Sequence, residues 1–232
     1  MKHKLIIIVL LVFAQNASSQ TVEEVLSNIY KQYSSNESLR FETTYNLYKT
    51  FDAKEIHQSY RGVFHKNGDN DIYMKINDTE ILNNKEVSIK ASHTEKALLL
   101  SNPELNVAGD FDMKELLKIY KQNNFEDKQD YWEIELIANE MTLPHSKIVL
   151  HVTKDYLLKK QVFFYSESVN FSKDYKKSDI QTPKLEITYS NYNRDLMDEK
   201  LFATSKFLQI KNDKSAVLSS SLKGYELLDK RY

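Results

Sequence analysis

Cysteine is absent from all 232 residues. That excludes disulfide staples, thiolate metal sites and a cysteine nucleophile, and it closes the bacterial lipoprotein route, which acylates a cysteine at the new N-terminus. Glycine is nearly as scarce, with only four, Gly62, Gly68, Gly109 and Gly224. Phosphate-cradling loops, dinucleotide fingerprints and strained nucleophile elbows need clustered glycines for close backbone approach, so none of these is present. No basic run is sustained: Lys173-Asp174-Tyr175-Lys176-Lys177 reads as a solvated loop, and nothing asks for nucleic acid. The longest apolar run, Leu5 to Ala14, covers about ten residues where a membrane span needs about twenty.

That run gains meaning from its flanks. Met1-Lys2-His3-Lys4 precedes it and the small polar stretch Gln15 to Gln20 follows, the layout of a secretory signal peptide. Residues 1–19 are therefore read as a leader, with cleavage after Ala14 or after Ser19, and 20–232 as one mature domain. Export to the periplasm is expected, with secretion as the alternative. Losing Lys2 and Lys4 from 32 basic residues leaves 30 against 33 acidic ones, a formal charge near −3. A mature chain of this length suits a single β domain stabilised by apolar burial.

Thr21-Val22-Glu23-Glu24 fits a capping box, and Val22, Val25, Leu26, Ile29, Tyr30 and Tyr33 recur at helical spacing. This predicts an amphipathic helix over Val22 to Tyr33. From Leu39 the period becomes two, with Leu39, Phe41, Tyr45 and Leu47 alternating with polar residues. A strand from Ile56 to Lys66 reaches Asn67-Gly68, a type I′ hairpin signal. Asp71 to Asn77, Thr79 to Leu82, Glu86 to Ala91 and Lys96 to Ser101 continue a meander. A second helix is expected over Asp112 to Gln122, then strands at Tyr131 to Ala138, Lys147 to Val152, Tyr156 to Ser166 and Lys184 to Tyr192. Glu167 to Gln181 reads as a polar loop, Asp198 to Phe202 as a helical turn, and Tyr225 to Asp229 as a last edge strand.

Catalytic and metal chemistry find no support. His57, His65, His93, His145 and His151 are scattered, with no i, i+4 pair, and His57 and His65 lie about 26 Å apart along one strand. Glu133 and Glu135 alternate with the apolar positions of their strand and read as its solvated face. No catalytic residue, metal site or cofactor is assigned. The aromatic load is what remains, at 12% of the chain, and two readings stay open for it, a packed core or a ligand cavity. A single curved sheet with two amphipathic helices favours the cavity.

In its order of elements the chain resembles the LolA-type periplasmic lipoprotein carriers and their half-barrel lipid-binding relatives. The resemblance rests on the N-terminal helix, the strand Leu39 to Tyr48, the segment Tyr60-Arg61-Gly62-Val63-Phe64-His65-Lys66-Asn67-Gly68, and Thr79-Glu80-Ile81-Leu82 leading to Leu98-Leu99-Leu100. It continues through Ile148 to Tyr165, Tyr189-Ser190-Asn191-Tyr192 and Leu201-Phe202. Two departures stand out. Where the family has an arginine followed by proline that latches its cavity, this chain has Asn67-Gly68, and Asn83-Asn84-Lys85 replaces an Asp-Gly turn.

The expected fold is mainly β, a strongly curved antiparallel sheet forming an incomplete barrel, with both helices on its concave face. The resemblance implies a non-enzymatic carrier of lipid or of acylated protein, monomeric, exchanging cargo with membrane-associated donor and acceptor proteins. The alternative is a periplasmic or surface β domain acting as a protein- or glycan-interaction module or sensor. Phe41, Tyr45, Leu47, Phe64, Met74, Ile76, Ile89, Leu98, Leu100, Trp132, Ile134 and Leu136 are the expected cavity lining. Leu116, Leu117 and Tyr120 are the expected lid.

Overall fold

The computed structural model describes residues 20–104, 113–174 and 176–231, so the leader expected over 1–19 and the residue Asp112 lie outside the described residues. Helix α1 (Val22–Ser34) starts at the capping box. The backbone N–H of Glu24 donates to the Thr21 hydroxyl at 3.2 Å, and that of Thr21 to the Glu24 carboxylate at 3.0 Å. Its apolar stripe, Val22, Val25, Leu26, Ile29 and Tyr33, is 0–1% exposed.

Two meanders follow. The first runs β1 (Leu39–Tyr48), β2 (Gln58–Lys66), β3 (Ile72–Ile76), β4 (Thr79–Asn83), β5 (Ser88–Ser92) and β6 (Ala97–Ser101). After a short α2 (Leu116–Ile119), the second runs β7 (Tyr120–Asp127), β8 (Tyr131–Ala138), β9 (His145–Thr153) and β10 (Leu158–Tyr165). A two-strand ribbon, β11 (Val169–Asn170) with β12 (Ile180–Gln181), interrupts the expected polar loop before β13 (Lys184–Asn193). The tail holds a hairpin, β14 (Leu208–Ile210) with β15 (Ala216–Leu218), and then β16 (Glu226–Asp229).

β1 pairs with β13, which fuses everything but the two small ribbons into one twelve-stranded sheet of order β16-β6-β5-β4-β3-β2-β1-β13-β10-β9-β8-β7. Every pair is antiparallel except β16 with β6, which run parallel, so the expected last edge strand is present in a mixed sheet. The sheet is open and curved. One cluster under α1 contains Ile72 of β3 and Trp132 of β8, strands that a flat sheet would hold about 29 Å apart. A helix about 10–12 Å wide reaches both only if the sheet wraps around it.

Register assigns every side chain to a face. Phe41 opposes Phe64, Phe64 opposes Met74 and Met74 opposes Ile81, and these share the concave side with the α1 cluster. On the convex side Tyr73 opposes Leu82, Leu82 opposes Ile89 and Ile89 opposes Leu100, while Leu98 lies between Ala91 and Leu227. There a second cluster forms, in which Phe202, Phe207, Leu208 and Leu222 of the tail cover Leu82, Ile89, Leu98 and Leu100. The tail's polar anchor is Glu80, 8% exposed, which accepts from Tyr73 Oη at 2.8 Å, from Lys206 Nζ and from His93 Nε2 at 3.1 Å, while His93 Nδ1 meets Tyr225 Oη at 2.7 Å.

Three expectations need correction. The second helix does not span Asp112 to Gln122: a 3-10 turn (Met113–Glu115) and the four residues of α2 end at Tyr120, where β7 begins. Without β7 the hydrogen-bonding edge of β8 would be bare, and a strand of exposed polar residues satisfies it. The Asn67-Gly68 hairpin exists, but its connection is five residues long, and the positive φ falls on Asn70 rather than Gly68. Asn67 Oδ1 accepts from the N–H groups of Asp69 and Asp71, closing the wider loop. The loop is drawn over the end of α1 by Lys66, which is 1% exposed and donates to the carbonyls of Ser35 and Glu37 and to Asn70 Oδ1. A cation there satisfies carbonyls left free at the helix end. Third, Ile89, Leu98 and Leu100 belong to the convex cluster, not to a cavity shared with Phe41 and Trp132.

Burial raises the Glu80 carboxyl, but its hydrogen bonds from Lys206, Tyr73 and His93 lower it by more, so its native pKa lies below the ordinary value. A depressed acid contributes stability above its unfolded pKa and loses that contribution as pH falls through the native one. Acidification below the ordinary glutamate range should therefore loosen the tail first, seen as hydrogen exchange at Phe207–Leu222 rising before that at β8. Glu80→Ala should reproduce the loss at neutral pH, at about 3 kcal/mol in denaturant unfolding.

Candidate functional site

The concave face is graded from sealed to open. At its α1 end a polar ring ties helix to sheet: Tyr33 Oη and Tyr192 Oη are 2.6 Å apart, Tyr192 Oη donates to the Leu158 carbonyl at 2.8 Å, and the Leu158 N–H donates to Tyr33 Oη at 3.2 Å. Burial pushes both phenols up, so they stay neutral. Around the ring Phe41 stacks on Phe64 at 4.6 Å and Trp132 on Tyr156 at 5.2 Å. Midway along the face Tyr189 Oη donates to Gln161 Oε1, and Gln161 Nε2 meets Met113 Sδ at 3.8 Å, which docks the 3-10 turn preceding α2.

Beyond Gln161 the cover ends. Leu47 opposes Leu185, Leu185 opposes Phe163, and Tyr45 lies between Tyr60 and Ile187. With Met74 and Ile76 these form a continuous apolar patch whose members, apart from Ile187, are only half-buried, with Tyr60 39% exposed. At the rim formed by the strand ends, Phe51, Ile137, Ala138, Met141, Tyr165 and Ser166 line a separate cleft of about 430 Å³ on the convex side, where Phe51 packs on Phe164 at 5.0 Å and Ile137 opposes Lys147. Met141 is 95% exposed and Ile119, at the end of α2, 46%. The Asn139 N–H donates to the Ile119 carbonyl at 3.4 Å, which places α2 beside that rim.

The expected cavity lining is thus divided. Phe41, Phe64, Trp132, Ile134 and Leu136 lie on the concave face but are 0–6% exposed, packed under α1. Tyr45, Leu47, Met74 and Ile76 lie on the open part of that face. Ile89, Leu98 and Leu100 face the other way. Of the expected lid, Leu116 and Leu117 are half-buried against the inner cluster, while Tyr120 is buried within a strand. The sequence reading missed Phe163, Leu185, Phe51 and Met141. The alternation of Phe163 within its strand carried a signal, but only the long-range pairing of β13 brings Leu185 against Leu47. Among the described residues no three histidine, aspartate or glutamate side chains gather where a metal ion would sit, and no helix is long and apolar enough to cross a membrane.

No family model matches the chain, and no curated protein matches it. Solved structures do. An uncharacterized conserved protein from Thermus thermophilus is 9% identical, with 91% of this chain and 100% of that chain covered and a TM-score of 0.51. A LolA superfamily protein from Nitrosomonas europaea is 13% identical over 81% of this chain and 100% of its own, with a TM-score of 0.36. A putative outer membrane lipoprotein-sorting protein domain from Vibrio parahaemolyticus is 13% identical over 78% and 95%, with a TM-score of 0.34. At 9% identity the Thermus likeness is one of fold alone. The shared architecture is an open curved sheet wrapped around an N-terminal helix.

The grading predicts opposite mutational behaviour at its two ends. Trp132→Ala should cost about 3–5 kcal/mol in urea unfolding, as a buried aromatic does, whereas Leu47→Ala should cost about 1 kcal/mol or less. Ser166 Oγ is buried without a hydrogen-bond partner. Ser166→Ala should consequently raise stability by about 1 kcal/mol, and a loss of stability instead would place a bound water on that hydroxyl.

Proposed function

We propose that the protein is an exported, non-enzymatic binder and carrier of acyl chains, taken up at the open end of the concave face. The observation that carries this reading is the patch of Tyr45, Leu47, Met74, Ile76, Phe163 and Leu185, left half-exposed on the concave face. Exposed apolar surface gathered on the inside of a curved sheet is a binding surface in want of an apolar ligand. Each methylene buried there contributes about 0.8 kcal/mol, so shape and apolarity suffice and no catalytic group is needed. The leader-like residues 1–19 support export to the periplasm, and the LolA-like architecture supports cargo from a lipid or an acylated protein. On this reading α2 is the moving part, with Leu116 and Leu117 against the inner cluster and Ile119 at the rim.

Native mass spectrometry of protein purified from its own host should show co-purifying lipid, and delipidated protein should take up a fluorescent fatty acid. Leu47→Glu and Leu185→Glu should each weaken uptake at least tenfold while leaving the melting temperature nearly unchanged. Hydrogen exchange at Leu116–Ile119 should slow on loading. Absence of co-purified lipid together with no uptake of the probe would remove the carrier reading.

A further inference from the structure

The convex face over β13, β1, β2 and β3 holds a groove of about 740 Å³ with a different chemistry. Its floor is Val63, which opposes Glu42 on one side and Lys75 on the other, while Arg61 opposes Thr44 one step along the same face. Short valine between long side chains is what makes a depression on an otherwise filled sheet face. Ser190 opposes Glu42 across the β1–β13 seam, and Asn77, whose N–H donates to the Arg61 carbonyl at 2.9 Å, closes the far end.

The charges of this groove are unequally committed. Glu42 accepts from Asn191 Nδ2 at 2.9 Å and lies 3.8 Å from the Arg40 guanidinium. Lys75 stands 4.0 Å from Glu80, whose carboxylate already holds Tyr73, Lys206 and His93 at shorter range. Arg61 is exposed and has no ion-pair partner among the described residues. A guanidinium presents a planar fork of donors that matches a carboxylate or phosphate bidentately. Around it the Thr44, Ser59 and Ser190 hydroxyls and the Asn77 amide both donate and accept, which suits a polyhydroxylated ligand, and the volume is that of a small-molecule site.

We propose that this groove binds an anionic saccharide, a sugar or short sugar chain bearing a carboxylate or phosphate, with Arg61 on the acid group and Thr44, Asn77 and Ser190 on ring hydroxyls. Its lining excludes the acyl chains assigned to the concave side, so the two sites take different ligands on opposite faces of the same strands. An exported protein with both would hold a lipid and an envelope sugar acid at once.

The test is amide NMR titration of the full mature chain at low salt with trigalacturonate, glucose 6-phosphate, maltotriose and inorganic phosphate. Shifts confined to β1–β3 and β13 around Thr44, Arg61, Lys75, Asn77 and Ser190 are expected for one or both acidic sugars, with trigalacturonate and glucose 6-phosphate separating carboxylate from phosphate recognition. Arg61→Gln should weaken binding at least tenfold with an unchanged melting temperature and unchanged fatty-acid uptake. Lys90→Gln, an exposed lysine on the concave side of β5, should bind like the parent. Equal response to inorganic phosphate and to acidic sugars would reduce the groove to a general anion site and overturn the proposal, as would binding indifferent to Arg61→Gln or no response to any acidic sugar at millimolar concentration.

Discussion

Everything in this molecule hangs on the ladder between β1 and β13. It joins residues about 140 positions apart, Tyr45 to Ile187 and Leu47 to Leu185, and among the described residues it is the sole pairing that turns two meanders into one sheet. The inner core needs it, because α1 is anchored on both sides of the seam, through Lys66 of β2 and through Tyr192 of β13. The open apolar patch needs it, since Leu47 and Leu185 meet across it. The convex groove spans it too, from Glu42 to Ser190. A contact of such sequence separation carries a large loop-closure cost, so the two meanders are expected to form before the seam does.

A twelve-stranded sheet has two faces to satisfy, and this chain covers half of each. On the β7-to-β3 wing α1 covers one end of the concave face, and the convex face is left to water, with His151 against Glu133 at 3.0 Å and Lys160 against Glu186 at 3.2 Å. On the β3-to-β16 wing the tail covers the convex face, and the concave side carries exposed Lys90 and half-buried Ile81 and Leu99. Burial therefore crosses the sheet near β3, where Ile72 belongs to one cluster and its neighbour Tyr73 to the other. β16 closes the arrangement by lying on β6, which shields an edge that would otherwise be open to pairing with another chain.

This crossing explains what the sequence could and could not disclose. The capping box and stripe of α1 are local signals, and the alternation of Trp132, Ile134 and Leu136 with glutamates names both strand and face. Leu98-Leu99-Leu100 names the strand only: apolar residues at successive positions leave the period-two pattern without a phase, and the structure puts Leu98 and Leu100 outward. Nothing near Ile89 announces that its cover comes from Phe202 and Leu208, more than a hundred residues on. The start of β7 at Tyr120 was hidden because its exposed polar residues form a strand only to satisfy the edge of β8. In the tail, Phe207 and Leu208 signalled burial, but the β14–β15 turn, with Lys214 at φ 65°, has neither glycine nor asparagine at that position to mark it.

For the acyl carrier proposed above, the grading of the concave face also decides which helix would move. Lifting α1 would expose five buried apolar side chains, on the order of 10 kcal/mol at about 1.5–3 kcal/mol each, before the tyrosine ring and the Lys66 anchor are broken. An acyl chain of about ten methylenes gains about 8 kcal/mol gross and gives up about 4 kcal/mol or more of it to association. Such a ligand cannot displace α1. The same ligand is ample against α2, four residues with no side-chain cap and two half-buried leucines. Acyl uptake that leaves the α1 core intact must therefore enter by the rim beside α2, and the depth it reaches is set by the Gln161–Tyr189 pair where the packed core begins.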